Sequence, residues 1–205
     1  MRHQMFRFLR RLLIVIGLAA LTAAGILLWL SPDPTYLGHE WLALGRYHRY
    51  DTEIRELAEK FNLDPALVKA IVWRESTFLP DKVGTSGERG LMQVGEAAAK
   101  DWATAEKLET FVPTDLFDAR NNLEVGSWYL RRALDRWKNK DRPLAFALAE
   151  YNAGRTRVDR WIAATNMGDQ TTADDLLGAI DYASTRRYIE EVTRRMDFYR
   201  NRGRL

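Results

Sequence analysis

The chain has 205 residues, 46% of them hydrophobic, which is enough for one globular domain with appendages. It contains no cysteine, so structural disulfides, thiolate metal sites and a lipid-modified N-terminal cysteine are excluded. The net charge is +3, but four of the 31 basic residues are arginines within the first eleven positions, and the remaining 27 face 28 acidic residues, which argues against a nucleic-acid-binding face.

The first predicted element is an apolar segment, residues 12–30, which follows a basic cytoplasmic segment, residues 1–11. Its nineteen residues carry no charge and are long enough for a helix that crosses a bilayer, which needs about 20 residues. Because the arginines precede it, we expect a single-pass signal anchor in the inner (cytoplasmic) membrane, with the N-terminus cytoplasmic and the remainder periplasmic or extracytoplasmic. A cleaved signal peptide is an alternative, since Thr22-Ala23-Ala24 offers small residues. A buried core helix is the other alternative, although the segment has no polar face.

Residues 31–45 are predicted to form a tether, because Ser-Pro-Asp-Pro breaks regular structure and little hydrophobic periodicity follows. Residues 46–205 are predicted to form one all-α domain, since apolar residues recur at helical spacing and no alternating β pattern is present. Asp51 is expected to cap the first helix of this domain. The predicted helices cover residues 51–61, 64–75, 96–108, 118–137, 143–151, 158–164 and 184–199, with a polar crossing over 165–173.

One acidic residue, Glu75, lies at the end of an otherwise apolar helical pattern that Asp64-Pro65 begins. Leu67, Ile71 and Glu75 recur at i, i+4 and i+8 and therefore share a face. A carboxyl group at the end of an apolar stripe is poorly solvated, so its pKa is expected to rise, as a general acid requires. Helical phase alone is equally compatible with a surface residue that caps the helix or pairs with Arg74.

Three sequence blocks bear on this choice. The first comprises Arg74-Glu75-Ser76 and, eighteen residues after Glu75, Gln93 at the end of Gly90-Leu91-Met92-Gln93. The second is Ala149-Glu150-Tyr151-Asn152-Ala153-Gly154, and the third is Thr185-Arg186-Arg187-Tyr188-Ile189. In this order, from about residue 64 to residue 192, the blocks resemble those of the lytic transglycosylases of the soluble-transglycosylase (SLT) type, which share a lysozyme-like fold.

The resemblance implies a lysozyme-like helical domain that acts on the glycan strands of peptidoglycan. Glu75 would protonate the β-1,4 glycosidic oxygen between N-acetylmuramic acid and N-acetylglucosamine. The resulting carboxylate would take the proton of the muramyl C6 hydroxyl as this hydroxyl attacks C1, which gives a 1,6-anhydromuramyl end without consuming water. No cofactor and no metal are implied, and the three histidines (His3, His39 and His48) all precede the predicted domain.

The resemblance also implies a set of substrate-binding residues. Gln93 and Met92 would line the cleft, Gly90 would let the backbone pass close to sugar, and Tyr188 would orient the acid. For Met92 and Tyr151 a role in core packing is an equally good interpretation. The full predicted set is Ser86, Gly90, Met92, Gln93, Tyr151, Asn152 and Tyr188.

The chain departs from the family pattern near the predicted acid. Gly84 stands where a serine is common, and Glu88 stands where a small residue is usual. Glu88 is interpreted as a solvated loop charge. The other acidic residues that could supply a second carboxylate are Asp81, Glu96 and Glu150, and nothing in the sequence assigns any of them to the site.

Two alternatives to a transglycosylase stay open. A hydrolytic muramidase on the same fold would need a second carboxylate or a hydroxyl that positions water. A non-catalytic glycan-binding anchor would have no need of a buried acid. Beyond glycan strands and the membrane, cell-wall or secretion machinery is a possible partner.

Overall fold

The computed structural model describes residues 2–29, 34–108 and 110–203 and divides the chain into two compact units, Met1–His48 and Arg49–Leu205. The first unit contains helix α1 (Arg2–Trp29), helix α2 (Pro34–Leu42) and a 3₁₀ turn (Arg46–His48). Within α1, the 22 residues Met5–Ile26 have a mean hydropathy of 1.9, are long and apolar enough to cross a membrane, and are not buried. The predicted span, residues 12–30, begins later than this stretch, and Leu30 lies outside the described residues.

The segment predicted to be an irregular tether contains a helix. Residues 31–33 lie outside the described part of the chain, but α2 begins at Pro34 and continues to Leu42. Proline interrupts a helix only after its first turn, because at the first helical position its missing N–H would have no helical partner in any case. Pro34 therefore begins this helix. The predicted breaker falls between the end of α1 and the start of α2, and the part of the predicted tether from Pro34 to Leu42 is helical.

The second unit is helical, as predicted. The described residues form no strand, and their β pairing is limited to two isolated antiparallel bridges, Val83–Arg89 and Arg89–Val94. Two 3₁₀ turns, Pro113–Phe117 and Gly168–Gln170, lie between helices. The helices are α3 (Asp51–Lys60), α4 (Pro65–Ser76), α5 (Glu96–Ala105), α6 (Ala119–Arg136), α7 (Pro143–Ala153), α8 (Arg155–Ala164), α9 (Ala173–Ala179) and α10 (Ala183–Arg202).

Helix α4 is central to the core of this unit and packs most extensively against α10 and also against α3. Asp64 caps α4 as predicted, since its carboxylate accepts a hydrogen bond from the Ala66 N–H at 2.7 Å. Every residue from Ala66 to Val72 is buried, so the helix contributes all its faces to the core. It ends with two successive non-glycine residues of positive φ, Thr77 (51°) and Phe78 (62°). Complete burial of the Phe78 ring offsets the strain of this turn.

Two local predictions differ from the structure. Tyr50, not Asp51, is the N-cap of α3, and Asp51 is its first helical residue. The Asp51 carboxylate instead pairs with the fully buried Lys69 ammonium of α4 at 2.6 Å.

The polar crossing is followed by α9, a helix that the sequence analysis missed. A reciprocal capping box between Thr172 and Asp175 begins this helix.

Candidate active site

A cleft of about 700 Å³ opens where the end of α4 meets the α4–α5 loop. Glu75 lies in its wall, one residue before the last residue of α4. The side chains and backbone that line it come from α4, the loop, and helices α5 to α8. The lining residues are Arg74, Glu75, Lys82, Val83, Gly84, Thr85, Glu88, Gln93, Val94, Gly95, Ala97, Ala98, Asp101, Gly126, Tyr129, Tyr151, Asn152, Ala153, Gly154 and Arg157.

The environment of Glu75 favours its protonated form. Burial raises the pKa of Glu75 from 4.5 to about 7, because the ionised carboxylate loses hydration there. Tyr188, Arg74 and Lys82 act in the opposite direction and stabilise the carboxylate, but their combined effect is smaller than that of burial. A carboxyl group that titrates near neutral pH can donate a proton and later accept one.

Two tyrosines lie close to this carboxyl group, Tyr188 buried and Tyr151 half-buried. Tyr188 of α10 is 1% exposed, and a hydrogen bond from its hydroxyl to the Glu75 carboxyl acts to lower the pKa of that group. Burial raises the pKa of Tyr188 well above 10.0, and the nearby Glu75 charge adds to this rise, so the phenol is a neutral donor. Burial raises the pKa of Tyr151 in the same way, and its hydroxyl donates to the Met92 carbonyl oxygen at 3.0 Å.

The α4–α5 loop is held in a compact turn against the end of α4. The Lys82 ammonium donates a hydrogen bond to the backbone carbonyl of Glu75, and so joins the loop to the last turn of the helix. The side-chain amide of Gln93 donates to the carbonyl oxygens of Lys82 and Gly90, both at 3.0 Å. Because both bonds use the amide nitrogen, the amide oxygen of Gln93 is left to accept a hydrogen bond on the cleft side.

A buried residue that the sequence analysis did not single out joins this loop to α6. Asn122 is fully buried, and its side-chain oxygen accepts from the Met92 N–H at 2.7 Å. Its side-chain nitrogen donates to the carbonyl oxygens of Arg89 (2.7 Å) and Leu116 (2.9 Å). No local sequence signal separates Asn122 from the neighbouring Asn121, because its partners lie far away along the chain.

The structure brings some of the predicted site residues to the cleft. Gln93, Tyr151 and Asn152 line it together with Glu75, and Tyr188 is buried close to the acid without lining the cleft. Asn152 accepts a hydrogen bond from the Thr185 hydroxyl at 2.8 Å, which leaves its amide nitrogen as a donor. The roles of these residues toward a substrate stay predictions.

Three predicted substrate-binding residues do not line the cleft. Met92 is fully buried and packs against Gly126 of α6, where an added Cβ would lie 2.5 Å from its sulfur atom. Gly90 is buried with φ of 78°, and a Cβ there would collide with the Asn122 amide, so packing within the protein rather than contact with sugar requires glycine. Ser86 is exposed in the turn and does not line the cleft.

Of the acidic residues considered as a second carboxylate, some line the cleft and others do not. Glu88 lines the cleft, and so does Asp101, which the sequence analysis did not consider. Glu150 is buried away from the cleft, where it accepts hydrogen bonds from Arg136 and, at 2.7 Å, from the Trp137 indole. Asp81 and Glu96 are exposed and do not line the cleft. Across the described part of the chain, no group of three or more His, Cys, Asp or Glu residues could hold a metal ion.

Comparison with known proteins relates this fold and cleft to one family. A sequence model of the family described as "Transglycosylase SLT domain" matches residues 52–173. A putative soluble lytic murein transglycosylase of Haemophilus influenzae is 27% identical over 83% of this chain and 28% of its own length. Membrane-bound lytic murein transglycosylase C of Shigella sonnei is 31% identical over 77% of this chain and 48% of its own length.

Comparison of the fold with solved structures points to the same family. The crystal structure of the 70 kDa soluble lytic transglycosylase of Escherichia coli superposes with a TM-score of 0.65 at 25% identity, over 74% of this chain and 24% of that protein. The lysozyme-like helical fold predicted for the domain is therefore confirmed. The chain spans less than half the length of these relatives. Because the family model covers more than half of the chain, the chain belongs to the SLT transglycosylase domain family.

Proposed function

We propose that this protein is a membrane-anchored peptidoglycan lytic transglycosylase in which Glu75 acts first as acid and then as base. The observation that carries the proposal is a carboxyl group in the wall of an open cleft whose pKa burial raises to about 7. Such a group is protonated often enough near neutral pH to donate, and it is also a usable base once it has donated. The relatives named as lytic murein transglycosylases support the substrate class.

In the proposed first step, Glu75 transfers its proton to the glycosidic oxygen between N-acetylmuramic acid and N-acetylglucosamine, and the bond from C1 to this oxygen breaks. The carboxylate that remains is stabilised by the cations of Arg74 and Lys82 and by the Tyr188 hydroxyl. These groups favour the ionised form, so their contribution grows as charge develops on Glu75 in the transition state.

In the second step, the Glu75 carboxylate takes the proton of the muramyl C6 hydroxyl while the oxygen of this hydroxyl forms a bond to C1. The product is a 1,6-anhydromuramyl end, no water is consumed, and Glu75 regains its proton. The amide oxygen of Gln93 would accept a hydrogen bond from the sugar, and the amide nitrogen of Asn152 would donate one, since their other amide atoms are engaged within the protein.

A hydrolytic muramidase is the second candidate. Glycoside hydrolysis ordinarily uses two carboxylates, and Glu88 and Asp101 place further carboxylates in the same cleft. A carboxylate that took the proton from water instead of from the C6 hydroxyl would give a reducing end. The two reactions therefore differ in their product and not in the acid they require.

We further propose that α1 anchors the protein in the inner membrane, with its N-terminus cytoplasmic and the second unit periplasmic. Support comes from the apolar stretch Met5–Ile26, from the arginines near the N-terminus and from the relatives named as membrane-bound. In this orientation the cleft faces the compartment that contains peptidoglycan.

The test is mass spectrometry of peptidoglycan digested with residues 45–205 and with the Glu75→Gln variant of the same fragment. We expect anhydromuropeptides from the unsubstituted fragment and a rate lower by about 10²–10⁴-fold for Glu75→Gln, the range typical of general acid–base catalysis. Reducing-end products would replace the proposal with hydrolysis. If a folded fragment released no products from a substrate that a known muramidase degrades, a glycan-binding role would replace catalysis.

A further inference from the structure

Glu88 places a carboxylate in the wall of the cleft that contains Glu75. Its Oε2 accepts a hydrogen bond from the Ser86 N–H at 3.1 Å. A Cβ added at Gly84 would collide with this oxygen and would lie 2.8 Å from the Gln93 amide oxygen. The Glu88 carboxylate therefore occupies space that is open only because residue 84 has no side chain. No basic side chain in the described part of the chain forms a salt bridge with it.

The backbone holds this carboxylate in place. The Gly84 N–H donates to the Glu88 carbonyl oxygen at 2.8 Å, and the antiparallel bridge between Val83 and Arg89 closes the turn. Gly87 supplies the positive φ of 90° that the turn requires. The backbone of Glu88 is therefore held in a closed turn, and the Ser86 N–H holds its carboxylate at the cleft wall.

Several titratable and charged groups face Glu75 from the surrounding elements. Tyr151 of α7 and Tyr188 of α10 are neutral phenols, and Arg74 lies on its own helix, paired with Glu191 of α10 at 2.6 Å. The α4–α5 loop contributes Lys82 and Glu88. Both cations favour the ionised form of Glu75. Glu88 is a charge of the same sign that acts on Glu75 and raises its pKa. Asp101 of α5 and Arg157 of α8 also line the cleft.

We propose that Glu88 is a positioning residue for the acid, whose fixed negative charge on the cleft wall offsets Arg74 and Lys82 and keeps the proton on Glu75. The inference rests on the proposed role of Glu75 as acid. Burial is the main cause that raises the pKa of Glu75, and the like charge of Glu88 raises it further. Without Glu88, the two cations would bring ionisation of the acid to a lower pH, and less enzyme would be ready to donate.

The direct test follows the Glu75 carboxyl by ¹³C NMR across a pH titration of the folded fragment, residues 45–205, with Glu75→Gln to assign the signal. We expect a midpoint near 7 in the unsubstituted fragment and a midpoint lower by roughly 0.3–0.8 pH units in Glu88→Gln, the size of a like-charge effect across a solvated cleft. The control is Asp81→Asn, which removes the same charge from an exposed position of the same loop outside the cleft and leaves the midpoint unchanged.

Two further variants separate charge from structure. Glu88→Asp retains the charge and keeps the midpoint closer to that of the unsubstituted fragment than Glu88→Gln does. Gly84→Ala retains Glu88 but displaces its carboxylate, so the midpoint falls between those of Glu88→Gln and the unsubstituted fragment. A midpoint equal in the unsubstituted fragment and in folded Glu88→Gln, or an equal fall in Asp81→Asn, overturns the proposal.

A pH–rate profile of anhydromuropeptide release tests the same point in turnover. The alkaline limb of kcat/KM reports the acid that must be protonated, so it moves to lower pH in Glu88→Gln by the same amount as the NMR midpoint. If no anhydromuropeptides form at any pH, the proposed function fails, whereas the NMR titration still decides whether Glu88 controls the protonation of Glu75.

Discussion

The burial that suits Glu75 to proton donation also makes its ionised form unfavourable in the folded state. Burial raises the pKa of this carboxyl from 4.5 to about 7, while in the unfolded chain it titrates at its usual value. Between these two pH values the native state binds more protons than the unfolded state, so the free energy of unfolding falls as the pH rises through this window. Below pH 4.5 both states are protonated and the effect vanishes.

This linkage predicts that Glu75→Gln stabilises the protein in alkaline and not in acidic solution. Glutamine keeps the shape of the side chain and cannot ionise. We expect the free energy of unfolding of Glu75→Gln to exceed that of the unsubstituted protein by about 2–3 kcal/mol at most at pH 8, and by close to zero at pH 4. Urea denaturation of residues 45–205 at both pH values measures the difference.

The matched control for this prediction is Glu106→Gln, since Glu106 is exposed at the end of α5 and has no assigned contact with the cleft. This variant should leave the difference between pH 4 and pH 8 as it is in the unsubstituted protein. A Glu75→Gln variant that is stabilised equally at both pH values, or that is destabilised at pH 8, would contradict the assignment of a buried carboxyl group with a raised pKa.

The sequence predicted the role of some single residues in the site but not of others. Glu75 was predictable because its helical phase and its motif bear on the same position. The sequence could not show which of the neighbours Met92 and Gln93 lines the cleft, since both belong to one motif and either could face a sugar. Gln93 has a φ of 48°, so the chain turns between the two side chains, one toward the core and one toward the cleft. The absence of a side chain at Gly126, 34 residues after Met92, makes room for Met92 in the core.

At the scale of elements, the α4–α5 loop is rigid because α6 holds it. Asn122 of α6 accepts one hydrogen bond and donates two, and for two of these backbone groups, the Met92 N–H and the Leu116 carbonyl, it is the partner that the structure shows. A buried backbone group that loses its partner costs about 1–3 kcal/mol. The position of the loop, and with it the position of Gln93 and Glu88 in the cleft, therefore depends on one amide.

We predict that Asn122→Ala lowers the free energy of unfolding by about 2 kcal/mol or more, because it leaves the Met92 N–H and the Leu116 carbonyl oxygen unpaired and removes one of two hydrogen bonds to the Arg89 carbonyl oxygen. Release of anhydromuropeptides should fall with it at a temperature where the variant is still folded. Asn121→Ala, one residue away on the same helix, is the control and should change stability by no more than about 0.5 kcal/mol. Equal effects of the two substitutions would show that the amide does not hold the loop.

Elements were predicted well where the signals are local. Asp64 and Pro65 identify the start of α4, and an apolar pattern continues to its end. Helix α9 was missed although Thr172 and Asp175 form a capping box, because its seven residues are too short for a helical period to stand out. Its apolar anchor, Leu176, is buried by helices that precede it in the sequence, and local sequence does not reveal such contacts.

At the scale of the whole molecule, the proposed anchor and the candidate site lie in different units. The second unit contains the family match and the cleft, and the first contains the only helix among the described residues that could span a membrane. The boundary between predicted tether and predicted domain rested on composition alone, which does not show that α2 follows the apolar helix. The proposed orientation of α1 rests on charge, because four arginines lie among its first ten residues, 2–11, and resist transfer across the membrane.

The absence of native cysteine allows this orientation to be tested in cells with single introduced thiols. Lys138→Cys places a thiol at an exposed position of the second unit, and Gln4→Cys places one before the apolar stretch. In intact spheroplasts, a membrane-impermeant maleimide should label Lys138→Cys and should label Gln4→Cys only after the membrane is permeabilised. The cysteine-free chain is the control for background. Labelling of Gln4→Cys alone would reverse the orientation, and loss of the residue 4 thiol from the mature protein would indicate a cleaved signal peptide.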